Sequence, residues 1–187
     1  MAAALILPKP AANNQISLQR RSNAPEKSSS HNEYRNAQTN KLSCRVITIQ
    51  TKKITESTAG FCDIIDITKK LHEHIREAHF RAGTATLFVS GSTAALTTIE
   101  HEAGLVRDLK EFVETLIPSD RRYHHDDRWG DDNGFSHVRA ALFGPSLAIP
   151  IVAGVLSLGT WQQVVLLDFD NRPRTREIIV QLIGESE

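Results

Sequence analysis

The stretch Ser146–Phe169, which reads SLAIPIVAGVLSLGTWQQVVLLDF, decides the fold that the sequence predicts. Short runs of β-branched and other apolar residues are separated in it by small and turn-forming residues, which is typical of successive strands. We predict strands at 146–151, 155–158 and 162–169, and a fourth at 174–183 beyond the turn Asn171-Arg172-Pro173. Turns at Ala153-Gly154 and Asn171-Arg172-Pro173 separate the outer pairs of these strands.

Upstream of this stretch, helical and strand patterns follow one another without a regular βαβ repeat. Strands are predicted at 45–52, 84–89 and 94–99, helices at about 68–81, 104–117 and 136–143, and a polar loop at 119–135. Strand-rich ends around a small number of helices favour the α+β class over a parallel sheet. We therefore expect a single compact domain with a mostly antiparallel, strand-rich sheet and two to three helices.

Residues 1–43 differ in composition from residues 44–187, which hold the predicted domain. The stretch 11–41 is rich in Asn, Gln, Ser and Arg and poor in large apolar side chains, so we predict a disordered tail. Residues 1–43 contain six Lys or Arg and two acidic residues. A basic, acid-poor segment is also typical of an organelle-targeting peptide, which is the alternative to a solvated tail on a cytoplasmic protein.

The length and the charge balance of the chain exclude several classes of protein. Its 187 residues suit one ordinary domain, and Lys+Arg and Asp+Glu are 22 each, so the formal net charge is zero. A neutral chain has no overall field to attract nucleic acid. The longest apolar runs, such as Val164–Leu167, are far shorter than the roughly 18 residues of a membrane span. We expect neither nucleic acid nor a membrane as a partner.

The two cysteines, Cys44 and Cys62, are too few for a disulfide framework. They also lack the paired spacing of a structural zinc site. We expect two unlinked thiols in a reducing compartment, with one bridge between them as the alternative.

The segment Tyr123–His137 is the most unusual part of the sequence. It holds three His, four Asp and one Asn in fifteen residues, and imidazole and carboxylate groups bind divalent metals or move protons near neutral pH. His125 and His137 are twelve residues apart, so they meet only if the loop folds back on itself. This composition makes the segment a candidate for metal binding or proton transfer. The alternative is a solvated acidic loop without a function.

Three further stretches have weaker patterns. The turn Ser90–Thr93 offers hydroxyls and backbone N–H groups that suit an anion, although an ordinary tight turn explains it as well. Gly159–Gln162 interrupts a strand pattern, which indicates a bulge or the close approach of a ligand, and we interpret its Trp161 as a core residue. We interpret the basic run Arg172–Arg176 as a solvated hairpin tip.

Three motifs together resemble the YjbQ-like family. They are SLAIPIVAGVLSLGTWQQV at 146–164, Tyr123-x-His125 with Asn133 and Ser136-His137-Val138-Arg139, and Thr58-x-Gly60-Phe61-x-Asp63 with Asp66-Ile67-Thr68. The resemblance covers residues 44–187. It implies an α+β domain that assembles as a homotrimer and is described as a secondary thiamine-phosphate synthase. Many members have His-Thr-Thr-Ala where this chain has Gly91-Ser92-Thr93-Ala94.

The resemblance implies a weak transferase that joins a pyrimidine pyrophosphate to a thiazole phosphate and releases pyrophosphate. Its catalytic residues would be His125, His137, Asn133 and Glu100, and the substrate would bind Ser92, Thr93, Arg139, Thr160 and Gln162. A divalent metal, magnesium or zinc, would be held by His125 and His137. The expected partners are a small phosphorylated molecule and further copies of this chain. The alternative is a trimeric protein that binds a small molecule or a metal without turnover.

Overall fold

Two antiparallel sheets carry the fold in residues 46–186, the part of the chain that the computed structural model describes. The strands in this part are β1 Thr48–Thr58, β2 Asp63–Asp66, β3 Phe80–Val89, β4 Ala94–Ile99, β5 Ser146–Val152, β6 Val155–Leu156, β7 Gln163–Asp168 and β8 Arg174–Ser186. The helices are α1 Thr68–Glu77, α2 Ala103–Leu116, α3 His124–Trp129 and α4 Gly134–Phe143.

The larger sheet has five strands in the order β1-β8-β3-β5-β6. β8 lies between β1 and β3, and the inward side chains Leu87, Val180 and Leu182 are fully buried. α1 covers this core with Leu71 and Ile75, which lie four residues apart on one face of the helix and are also fully buried.

The smaller sheet has three strands in the order β2-β7-β4 and separates two hydrophobic cores. On one face of β7, Val164 and Leu166 join the core of the large sheet and α1. On the other face, Val165 and Leu167 join a second core, to which α2 contributes Val113 and α4 contributes Ala140. Because β7 is buried on both faces, its sequence is a continuous apolar run without alternation.

The structure confirms the α+β prediction, because all strand pairs are antiparallel and helices pack on the sheets. The expectation of two to three helices was wrong: residues 46–186 contain four. The additional helix, α3, has only six residues and begins after Tyr123, whereas Ser, Thr, Asp or Asn is the usual sequence signal for a helix start. The strand β2 was also missed, because four residues are too short for a clear alternation.

Two predicted boundaries were wrong as well. α1 ends at Glu77 rather than near Arg81, because His79 takes a positive φ of 52° and the chain enters β3 at Phe80. The first strand runs over Thr48–Thr58 rather than 45–52, since β8 pairs with it along its whole length.

Residues 1–45 lie outside the described residues, and with them the predicted disordered tail and Cys44. Cys62 is buried in the second core. None of the helices in residues 46–186 is long and apolar enough to cross a membrane.

Candidate functional site

The predicted polar loop folds back on itself around Asp126. The backbone N–H of Tyr123 donates to Asp126 Oδ2 at 3.1 Å, and the N–H of Gly134 donates to Asp126 Oδ1 at 2.9 Å. One carboxylate therefore joins the start of α3 to the start of α4. A Cβ on Gly134 would lie 2.4 Å from Tyr123 Cβ, so only glycine permits this close approach.

This folding places His125 and His137 face to face. Their ring centroids are 4.3 Å apart and the rings are tilted by 30°. The structure thus brings together the two histidines that the sequence singled out, while the neighbouring His124 is fully exposed. Their joint role at one site stays a prediction.

Two carboxylates complete what we call the histidine cluster: His125, Asp126, Asp131 and His137. His125 Nδ1 lies 3.7 Å from Asp126 Oδ1 and 3.5 Å from Asp131 Oδ1. This nitrogen is buried and has no hydrogen-bond partner. Ligands of a tetrahedral zinc ion with bonds near 2.0 Å lie about 3.3 Å apart. The three ligand atoms here lie within 4.8 Å of one another, so they would have to move closer together to hold a cation.

The metal ligands suggested by the geometry differ in part from those expected. Among the described residues, the converging ligand atoms belong to His125, Asp126 and Asp131. His137 is not part of this set, and its ring lies against the ring of His125. Its role as a metal ligand stays a prediction.

The cluster changes the protonation of its members. Burial disfavours the charged form of Asp126, but the N–H groups of Tyr123 and Gly134 outweigh this effect and lower the pKa of the carboxyl. Burial, together with the positive charge of His125, lowers the pKa of His137. His137 is therefore mainly neutral at pH 7 and is able to accept a proton or donate a single N–H.

His137 also faces a pocket of about 280 Å³. Gly91 and Ser92 form one side of it, and the small side chains of Ala94 and Ala140 form part of its wall. Ser92 is exposed, so its hydroxyl is free to meet a ligand in this pocket. The predicted binding residue Ser92 and the predicted catalytic residue His137 thus share one cavity.

A second group, of buried charged residues and two threonines, lies beside this pocket. We call it the buried ionic network: Thr58, Thr93, Asp168, Asp170 and Arg176. Arg176 donates from Nε to Asp168 Oδ2 and from Nη2 to Asp168 Oδ1, each at 2.7 Å, which is a bidentate pair. Nη2 also donates to Thr93 Oγ1 at 2.7 Å, and Thr93 in turn donates to Asp170 at 2.8 Å.

The network accounts for two features of the turn before β4. Thr93 is engaged by Arg176 and Asp170, so its hydroxyl is less free for a substrate than the sequence suggested. A Cβ on Gly91 would lie 3.1 Å from Arg176 Nη1. A histidine at position 91 would therefore require this guanidinium to shift.

Arg139, which was expected to bind the substrate, contacts the end of α2, and its role in substrate binding stays a prediction. Its side chain is 2% exposed, and Nε donates to the carbonyl of Ile117 at 3.0 Å. Nη2 donates to Glu114 Oε2 at 2.6 Å, and the guanidinium lies 4.8 Å from the centre of the Phe135 ring. Arg139 lines a pocket with Cys62 and Glu114, separate from the pocket of His137 and Ser92.

Asn133 is buried and connects the polar loop at 119–135 to the turn between β7 and β8. Its Oδ1 accepts hydrogen bonds from the backbone N–H of Asn171 at 3.2 Å and from the hydroxyl of Ser136. It lines a pocket with Asp131, so it lies next to the histidine cluster.

The remaining predicted residues, Glu100, Thr160 and Gln162, lie at the other end of β4. Ala94 pairs with Asp168 and Ile99 pairs with Gln163, and this span of five residues is about 17 Å long. Gln162 donates to Thr98 Oγ1 at 2.8 Å and accepts from the N–H of Gly159 at 3.0 Å, so it holds the bend before β7. Within one chain, this group is separate from the histidine cluster.

Trp161, beside this group, is 70% exposed, so its interpretation as a core residue was wrong. Sequence reasoning also missed Asp126 and the whole buried ionic network. The signal for the network was the motif Asp168-x-Asp170 followed by Arg174-x-Arg176 across a short turn, which places opposite charges on facing strand ends.

Comparison with known proteins identifies relatives along the whole domain. The family model described as UPF0047 protein YjbQ-like matches residues 52–185. A UPF0047 protein of Archaeoglobus fulgidus is 38% identical over 131 residues, which cover 70% of this chain and 99% of the relative. A UPF0047 protein of Methanothermobacter thermautotrophicus is 32% identical over 137 residues, or 73% of this chain and 94% of the relative.

Solved structures show the same fold. A crystal structure of a YbjQ-like protein of unknown function from Sulfolobus solfataricus superposes with a TM-score of 0.71 at 30% identity, covering 75% of this chain and 100% of that one. A hypothetical protein from Aeropyrum pernix gives a TM-score of 0.68 at 30% identity, covering 73% of this chain and 99% of that one.

Proposed function

Because this chain belongs to the UPF0047 family of YjbQ-like proteins, we propose that it is a weak thiamine-phosphate-synthase-type transferase. It would join a pyrimidine pyrophosphate to a thiazole phosphate and release pyrophosphate. The observation that supports this proposal most is the convergence of His125, Asp126 and Asp131 beside the His137 pocket. A cation site next to a small pocket suits a substrate that carries a diphosphate.

The reaction sets a clear demand on the site. The bond between the methylene carbon of the pyrimidine and the pyrophosphate oxygen breaks, and pyrophosphate leaves with the bonding electrons. A new bond forms between that carbon and the thiazole nitrogen. The site must therefore stabilise negative charge on the leaving group and hold the two substrates in line.

The residues of the cluster fit these tasks. His125, Asp126 and Asp131 would hold a divalent cation, magnesium or zinc, which when bound would offset the charge of the pyrophosphate. His137 is mainly neutral because of its lowered pKa, and it would donate its N–H to the leaving oxygen. Ser92 would add a hydroxyl donor from the opposite wall of the same pocket. Asn133 would position the loop that carries Asp131.

Self-association is part of the proposal, because one chain separates the predicted residues. Glu100, Thr160 and Gln162 lie at the far end of β4, and the adjacent Trp161 is 70% exposed. A homotrimer would bring this group of one subunit to the histidine cluster of the next and would cover exposed apolar side chains. Light scattering on the purified chain tests this directly, and a monomer at micromolar concentration would contradict it. We further propose a cytoplasmic location, with targeting to an organelle by residues 1–43 as the alternative.

A second function belongs to a different class: binding of a metal or small phosphorylated molecule without turnover. The size of the His137 pocket favours it, because about 280 Å³ lies below the roughly 300–1,000 Å³ of most small-molecule sites. A pocket of this size holds one of the two proposed substrates more readily than both.

The decisive experiment mixes the full chain with the pyrimidine pyrophosphate and the thiazole phosphate and measures thiamine phosphate and pyrophosphate together. We expect both products to form with Mg²⁺ or Zn²⁺ and to fall on addition of a chelator. His125→Ala and His137→Ala should each remove most of the activity. His124→Ala is the matched control, since His124 is adjacent but fully exposed.

Each other outcome decides between the two functions. Metal binding without product would reject the transferase and support the binding protein. Product formation that is equally strong in the His125 and His137 variants would reject this site.

A further inference from the structure

The turn Asn171–Pro173 between β7 and β8, which we call the tip, contacts the site instead of extending freely into solvent. β7 and β8 lie in different sheets, so the predicted hairpin does not form. Asn171 Nδ2 donates to the carbonyl of Asp131 at 2.8 Å, and the backbone N–H of Asn171 donates to Asn133 Oδ1 at 3.2 Å. These two bonds attach the tip to the loop of the histidine cluster. The earlier interpretation of the basic run 172–176 as a solvated tip therefore does not describe its inner side.

Between the tip and the loop lies a polar pocket of about 340 Å³. We call it the arginine pocket, and it is lined by Asp131, Asn133, Asn171, Arg172 and Arg174. Asp131 belongs both to this pocket and to the histidine cluster, whereas His125 does not line the pocket.

The two arginines of this pocket still have donors to offer. In residues 46–186, no carboxylate forms an ion pair with Arg172, which is exposed. Arg174 Nε lies 2.9 Å from Asp170 Oδ2 as an ion pair without a well-aligned hydrogen bond. Within residues 46–186, its two outer nitrogens have no protein partner and are left for a ligand. Asp170 accepts a hydrogen bond from Thr93 in the buried ionic network, so the carboxylate beside Arg174 is itself held in place.

A buried amide adds a further donor. Asn133 is 5% exposed, and its Oδ1 is identified as oxygen because a backbone N–H donates to it. Its Nδ2 is on the other side of the carboxamide and is left as a donor toward the pocket that Asn133 lines. Two guanidinium groups and an amide N–H around a small cavity are typical of a phosphate site.

The carboxylate of Asp131 decides which phosphate ligand fits. Asp131 would repel a free anion in this pocket, but it also belongs to the converging set of His125, Asp126 and Asp131. A divalent cation on that set would reverse the local charge. An anion in the arginine pocket is therefore expected to bind together with the cation, as a phosphate or diphosphate group that contacts both.

We infer that the arginine pocket binds the terminal phosphate of a diphosphate ligand, next to a divalent cation on His125, Asp126 and Asp131. The inference rests on the proposed function and deepens it, because it replaces Arg139 by Arg172 and Arg174 as the arginines that bind the phosphate. Arg139 uses Nε and Nη2 for Ile117 and Glu114 and lines a different pocket.

The test is calorimetric titration of the full chain with inorganic pyrophosphate, with Mg²⁺ present and again with a chelator. Arg172→Ala should weaken binding about tenfold or more, because a charge-assisted pair to phosphate is lost. Arg174→Lys keeps a positive charge beside Asp170, so the fold is preserved. It should also weaken pyrophosphate binding, because lysine lacks the planar guanidinium group. Arg107→Ala is the control, because Arg107 is exposed on α2 and outside the pocket.

The affinity for the metal alone separates the two sites. Arg172→Ala should bind Zn²⁺ like the unchanged chain, whereas His125→Ala should lose both Zn²⁺ and the Mg²⁺-dependent part of pyrophosphate binding. The inference is overturned if pyrophosphate does not bind, if Arg172→Ala binds it as tightly as Arg107→Ala, or if the chelator has no effect.

The same titration distinguishes this inference from the proposed function. If pyrophosphate binding depends on Arg172 but no thiamine phosphate forms, the arginine pocket is supported and the transferase function is rejected. If thiamine phosphate forms and Arg172→Ala binds pyrophosphate as the unchanged chain does, the transferase function is supported and the arginine pocket is rejected.

Discussion

The buried ionic network and the histidine cluster lie at the same end of β7 and contain similar side chains, but their environments differ. In the network, Arg176 forms a bidentate pair with Asp168, and both residues are buried. In the cluster, His125 Nδ1 faces two carboxylates at 3.5 and 3.7 Å without a hydrogen bond to either. The difference teaches that charge content alone does not indicate function. Asp170 Oδ1 in the network also lacks a hydrogen bond. The two groups differ instead in that the network contains a direct bidentate pair, whereas the cluster contains three converging ligand atoms.

The largest effect is expected from breaking the network. Asp168→Ala leaves Arg176 buried without its bidentate partner, so we expect a loss of about 3–5 kcal/mol in the free energy of unfolding. Urea denaturation measures this loss. Asp127→Ala is the matched control, because Asp127 also pairs with an arginine, Arg122, but at the surface. It should leave the urea midpoint almost unchanged, and equal effects of the two variants would remove the distinction between buried and exposed pairs.

A smaller effect is expected at Arg139, which the sequence suggested as a substrate residue. Arg139→Met keeps most of the volume but removes the hydrogen bonds to the carbonyl of Ile117. We expect a loss of about 1–3 kcal/mol in the free energy of unfolding and unchanged pyrophosphate binding. Loss of pyrophosphate binding in a folded Arg139→Met variant would show that Arg139 binds the ligand.

The smallest effect concerns acid stability. Burial disfavours ionisation of Asp170, but Arg174 and Thr93 outweigh it and lower the pKa of the carboxyl. Its contribution to stability is therefore present above the unfolded pKa, about 3.9, and is lost as the pH falls through the lower folded value. Asp170→Asn should be less stable at pH 7 and should lose less stability below pH 4 than the unchanged chain. Parallel curves of unfolding free energy against pH would contradict this assignment.

The sequence predicted the parts of the fold that depend on local patterns. The apolar run Val164–Leu167 indicated a buried strand, and the spacing of Leu71 and Ile75 indicated the inner face of α1. α3 was missed because Asp126, a residue inside the helix, fixes its start through the N–H groups of Tyr123 and Gly134. Contacts of this kind depend on the folded chain and leave little trace in a hydrophobic pattern.

For the candidate site, the sequence identified residue types better than contacts. The density of imidazole and carboxylate groups indicated the segment, the family resemblance singled out His125 and His137 in it, and the structure places the two rings 4.3 Å apart. The sequence had no means to tell that Arg139 is engaged by Ile117 while Arg172 has no ion-pair partner within residues 46–186. Which arginine still has free donors is set by tertiary packing.

The most direct test of the central claim is the affinity of the chain for zinc, measured by calorimetry and by elemental analysis. The account predicts about one zinc ion per chain, held by His125, Asp126 and Asp131. His125→Ala should abolish binding, and His137→Ala should weaken it about 10-fold by releasing the ring stacked on the ligand. His124→Ala should bind zinc like the unchanged chain. Equal zinc affinity in the His124 and His125 variants, or no zinc binding by the unchanged chain, would contradict the account.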